Sequence, residues 1–91
     1  MPKDASIPDT QILTFYSKPG CPLCEEGFEK VEAVAALFDL PVTKVDIHSR
    51  PDLLSKHGER IPVVELRGEV LCWGRISWKR LKRELARRLG R

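Results

Sequence analysis

The 91-residue sequence has no apolar run longer than six residues, Ala33–Phe38, against the roughly 20 that a membrane-spanning helix needs. A transmembrane helix is excluded and no membrane partner is expected. The first ten residues, from Met1 to Thr10, mix charges with prolines, where a secretion signal requires an apolar stretch of about 7–15 residues. A cytoplasmic location is therefore expected, with residues 1–10 a flexible arm ahead of one domain at 11–91. Internal repeats and low-complexity stretches are absent. Acidic residues nearly vanish at one end: residues 71–91 hold eight Lys or Arg and one acidic side chain, against eight and twelve in residues 1–70. The net charge of +3 thus hides a strongly basic tail. Cysteine is scarce as well. Three residues, Cys21, Cys24 and Cys72, suit a secreted disulfide scaffold poorly, and a close pair in a reducing compartment points to redox chemistry or metal binding.

What is present has the periodicity of a small folded domain. Gln11–Tyr16 is β-branched and aromatic, with apolar side chains on both faces, and reads as a central strand. Lys18-Pro19-Gly20 breaks it, and from Pro22 the apolar positions Cys24, Phe28, Val31, Ala35 and Phe38 recur at helical spacing. Val42–Ile47 reads as a second strand, parallel to the first because a helix connects them. Pro51 to His57 fits a short helix, Ile61–Leu66 and Glu69–Trp73 a hairpin across Arg67-Gly68, and Trp78, Leu81, Leu85 and Leu89 the core stripe of a last helix. The expected fold is α/β, β-α-β-α-β-β-α, a four-stranded mixed sheet flanked by helices. Cys72 is expected to be buried packing, Trp78 to be core, and His48 and His57 to lie at the surface.

The chemistry concentrates at Cys21-Pro22-Leu23-Cys24, where the first strand gives way to the first helix. Cysteines three apart on a helix sit close enough for a disulfide with little backbone movement. Proline suits the first helical position, which leaves Cys21 as the N-cap, facing free amides and the positive end of the helix dipole. Those surroundings can lower a thiol pKa from about 8.5 to roughly 3.5–7.5. Cys24 falls on the apolar seam, so Cys21 is the expected nucleophile and Cys24 the resolving thiol. Metal or iron–sulfur ligation by Cys21, Cys24 and Cys72 with His48 or His57 is the weaker alternative, because the spacing has no zinc-finger form. A non-enzymatic adaptor using the basic helix is another.

The run Leu13-Thr14-Phe15-Tyr16-Ser17-Lys18-Pro19-Gly20-Cys21-Pro22-Leu23-Cys24, with Val45-Asp46-Ile47, Glu59-Arg60-Ile61-Pro62-Val63 and Trp73-Gly74-Arg75, resembles the glutaredoxin-like family of the thioredoxin superfamily. The resemblance implies a thioredoxin-like fold and thiol–disulfide oxidoreductase activity. It makes Pro62 a cis-proline whose preceding backbone, at Ile61, pairs with the substrate. Tyr16 and Lys18 match the Tyr-x-Lys ahead of the cysteine pair, and Lys18 would meet a carboxylate of the bound thiol. Two departures bear on the donor. Arg60-Ile61-Pro62 stands where glutaredoxins usually carry Thr-Val-Pro, and Trp73-Gly74-Arg75 where they carry a Gly-Gly turn that holds glutathione. Arg60 and Arg75 are candidate carboxylate grips, and the resemblance implies that Trp73 and Gly74 border the substrate groove. No cofactor beyond a redox-active Cys21–Cys24 disulfide is expected. The partners expected are a disulfide-containing protein or small thiol as substrate, and a thioredoxin-reductase-type donor in preference to glutathione. A monomer that does not bind nucleic acid completes the expectation.

Overall fold

Alternation between buried and half-buried residues marks β1 (Leu13–Ser17), which begins two residues later than the apolar pattern suggests, where the Leu13 amide donates to the Pro41 carbonyl at 3.0 Å. The computed structural model describes residues 11–90, and the expected arm at 1–10 lies outside them. The remaining elements are α1 (Pro22–Leu37), β2 (Val42–Asp46), α2 (Pro51–His57), β3 (Val63–Leu66), β4 (Glu69–Trp73) and α3 (Trp78–Leu89). The strands form one mixed sheet in the order β2-β1-β3-β4. β1 is parallel to β2 and antiparallel to β3, and β3 and β4 form the antiparallel hairpin. The α/β architecture with its four-stranded mixed sheet matches the expectation.

Strand alternation sends Leu13 and Phe15 to one face and Thr14 and Tyr16 to the other. The first face carries the main core, in which Leu13, Phe15, Val64 and Leu66 pack with Val31, Val34 and Ala35 of α1 and Leu81 and Leu85 of α3. Helix α1 needs a glycine to come this close. A Cβ on Gly27 would lie 2.8 Å from Ile76 Cγ1 and 3.3 Å from Pro62 Cγ, so only a hydrogen at this position lets α1 dock on both residues.

Two expected placements are corrected. Trp78 is not core but 43% exposed. Helical side chains lie back over the turn before their own Cα. Trp78 directly follows the N-cap Ser77 and has no such turn to cover, so its ring meets the Lys82 ammonium at 5.2 Å instead. His57 is not at the surface but 3% exposed. It closes α2 with its ring stacked on Tyr16, centroids 4.4 Å apart, on the face of the sheet opposite the main core. His48 is exposed as expected.

Candidate active site

Pro22 occupies the first position of α1 and Cys21 is its N-cap, in an extended conformation with φ −113° and ψ 101°. The Cys24 amide donates to Cys21 Sγ at 3.1 Å, so an orphan donor of the first turn is aimed at the sulfur. The same amide and that of Glu25 reach the Cys21 carbonyl at 3.0 and 3.1 Å. Cys21 and Cys24 are joined as a disulfide with Cα atoms 5.2 Å apart. The two sulfur-bearing residues differ in environment. Cys21 is half-buried at the edge of the core, whereas Cys24 is 3% exposed within it. Cys21 is the more exposed of the two.

A shallow cavity of about 180 Å³ reaches Cys24 from the β2 side, lined by Lys18, Lys44, Glu25 and Asp46 among others. Lys18 thus shares this cavity with Cys24. Lys44 was not singled out in the sequence; its ammonium also lies 4.7 Å from the Phe28 ring centre.

The Ile61–Pro62 bond is cis, with Pro62 buried and Ile61 half-buried against the core that contains Cys24. The Gly74 amide donates to both the Pro62 carbonyl at 2.8 Å and the Arg60 carbonyl at 3.0 Å. Gly74 holds φ at +73° to do so, a conformation that glycine adopts without steric cost. Trp73 pairs with Val63 across the hairpin, is 54% exposed, and has the Arg60 guanidinium 5.5 Å from its ring centre. Arg60, Ile61, Pro62, Trp73 and Gly74 are thus one assembly, with Arg75 exposed immediately after it. Tyr16 is elsewhere. Its hydroxyl donates to Glu65 Oε1 at 3.0 Å, and burial together with that carboxylate raises its pKa above 10.0.

Glu65 and His57 were missed as a pair. Glu65 Oε2 lies 3.6 Å from His57 Nε2 and 4.0 Å from Lys56 Nζ. Neither Oε2 nor Nε2 has a hydrogen-bond partner among the described residues. Burial lowers the His57 pKa below 6.5, opposed by the Glu65 charge. One signal was available, a lone carboxylate between Val64 and Leu66 in a strand.

Cys72 is buried on β4, and burial pushes its pKa up to about 11. It is a packing thiol with almost no thiolate at neutral pH. The described residues contain no group of three or more His, Cys, Asp or Glu side chains placed to hold a metal ion.

An N-capping Cys21 joined to Cys24 at the start of α1, with a cis-proline immediately before β3 of a four-stranded mixed sheet, is the arrangement of a thioredoxin-fold protein. Solved structures agree: thioredoxin 1 of Thermosipho africanus superposes with a TM-score of 0.66 at 15% identity, over 87% of this chain and 94% of that one. Target protein XcR50 of X. campestris gives 0.72 at 28% identity, over 82% and 96%. Within that fold, the chain belongs to the family described as "Glutaredoxin-like domain (DUF836)", whose model matches residues 12–86. The uncharacterized protein Rv0508 of Mycobacterium tuberculosis is 29% identical over 87 residues, 90% of this chain and 87% of its own length.

Proposed function

We propose that this protein is a thiol–disulfide oxidoreductase in which Cys21 is the nucleophile and Cys24 the resolving thiol. The observation that carries the reading is the Cys24 amide donating to the Cys21 sulfur at the N-terminus of α1 while Cys24 itself is buried. In the reduced protein that donor and the helix dipole stabilise a Cys21 thiolate. The thiolate attacks one sulfur of a substrate disulfide, the substrate S–S bond breaks, and the departing thiolate takes a proton from solvent. Cys24 then loses its proton and attacks Cys21 Sγ, releasing the second substrate thiol. The substrate gains two electrons and the dithiol becomes the Cys21–Cys24 disulfide, the state seen here. Two thiols, or one dithiol, of a donor reverse these steps.

Exchange with a chromogenic disulfide tests the assignment. Cys21→Ser should abolish it, while Cys24→Ser should form a mixed disulfide and stall there. Equal alkylation rates for Cys21 and Cys24 in the reduced protein at neutral pH would overturn the roles.

The cytoplasm is the compartment that suits this chemistry, and no helix among the described residues is long and apolar enough to cross a membrane. For the donor, we propose that a protein dithiol of the thioredoxin-reductase type regenerates the dithiol better than glutathione. The turn after β4 has a single glycine, Gly74, whose amide is already committed to two carbonyls. Coupled turnover at matched driving force compares the donors. Turnover with glutathione as fast as with the protein donor, lost on Arg75→Ala, would overturn the preference and make Arg75 a compensating grip.

A further inference from the structure

The first half of α3 carries charge of the wrong sign for its own stability. Cations favour the C-terminal end of a helix and are unfavourable in its first turn. Yet Lys79 and Arg80 occupy that turn, Lys82 and Arg83 follow, and no acidic residue precedes Glu84 in the helix. Glu84 is itself committed to Arg87 and Arg88, and Arg88 also holds Glu69. Among the described residues no salt bridge joins Arg75, Lys79, Arg80, Lys82 or Arg83 to an acid, and all five are exposed. Helix stability therefore accounts for Arg87 and Arg88 and leaves the earlier cations unexplained.

Their position supplies a reason. Arg75 follows the Gly74 amide that is bonded to Arg60 and Pro62, and three residues later α3 begins. Arg75 and the cations of the first half of α3 thus follow the cis-proline assembly in the chain, separated from one another only by Ile76, Ser77 and Trp78. The apolar side of α3 is already spent on the core through Leu81 and Leu85, so the helix has no free face to enter a lipid layer. A nucleic acid would match the charge but carries no disulfide for the dithiol next door.

We propose that Arg60, Arg75 and the first two turns of α3 are a docking surface for a polypeptide whose exchanging cysteine is flanked by acidic residues. This rests on the redox reading above and assigns its substrate class. Acidic side chains around the substrate cysteine meet cations that no acid of the described residues holds, raise the encounter rate, and orient the disulfide toward Cys21.

Two peptides test it, equal in length and each with one cysteine held as a mixed disulfide with 5-thio-2-nitrobenzoate. One has glutamates around the cysteine and the other glutamines. Chromophore release by the reduced protein at low ionic strength should be about tenfold faster for the acidic peptide. Raising salt from about 0.01 to about 1 M shrinks the Debye length from about 30 to about 3 Å and should bring the ratio close to one. Lys79→Glu with Arg83→Glu should do the same at low salt, with far-UV circular dichroism verifying that α3 is intact. Equal rates for the two peptides in the native protein would overturn the docking proposal and leave the redox reading standing. No release from either peptide would overturn the redox reading itself. A uridine dodecanucleotide that binds at physiological salt and displaces the acidic peptide would reassign the surface to nucleic acid.

Discussion

The two faces of the sheet solve the same packing problem with different materials. The face under α1 and α3 is mainly apolar, built on Leu13, Phe15, Val64 and Leu66, with the small polar Ser17 at the end of β1. The face under α2 buries a carboxylate and an imidazole, Glu65 and His57, beneath the Tyr16 ring and hydroxyl. Helix α1 has 16 residues and α2 has seven. A long helix excludes water over a wide area without polar partners, whereas a single short one leaves an edge where a buried charge persists only if its neighbours hold it. The redox site belongs to the first face, since Cys24 is part of that core.

The largest expected effect is on the apolar face. Phe15→Ala removes a fully buried ring and should cost about 3–5 kcal/mol, read as a shift in the denaturant midpoint. A cost below about 1 kcal/mol would mean that this face is not where the fold gains most of its stability. Tyr16→Phe, on the polar face, should cost about 1–3 kcal/mol, because Glu65 stays buried without its hydroxyl donor. If that substitution is neutral, the carboxylate is satisfied some other way and the contrast between the faces dissolves. The smallest effect is a pH dependence. Burial holds His57 below 6.5 in the folded state, so on acidification the unfolded chain binds the proton first. The contribution of neutral His57 to stability is therefore complete above about pH 6.5 and is lost as pH falls below it. Denaturant midpoints at several pH values, in the native chain and in His57→Gln, check this. An equal slope in the two proteins near pH 6 would remove His57 from the account.

Much of this was legible in the sequence where one physical rule acts alone. Proline at the first helical position beside a cysteine fixes an N-cap, and Cys21 is one. The apolar doublets of β1 and the Arg67-Gly68 turn placed the central strand and the hairpin. Reading failed where two rules compete. Trp78 kept helical spacing with Leu81, but position at the helix start, not spacing, decides whether a side chain has a turn to lie on. His57 looked like the polar end of an exposed helix, and its burial depends on Glu65, eight residues on in another element. Gly27 was passed over because a helical glycine announces a missing side chain without naming the Ile76 and Pro62 atoms that fill its place.

That vacancy at Gly27 has a consequence for the order in which the protein comes into being. Three stretches far apart in the chain, around residues 27, 62 and 76, converge on one point next to the dithiol. During synthesis the two cysteines leave the ribosome long before Ile76 does, and domains assemble as their parts emerge. Until then α1 has no Ile76 against Gly27, and its docking on the core is incomplete. The burial that sets Cys24 apart from Cys21 is therefore completed only once Ile76, Leu81 and Leu85 have joined the core. A chain stopped before Ile76 should show a smaller difference in alkylation rate between Cys21 and Cys24 than the whole protein does.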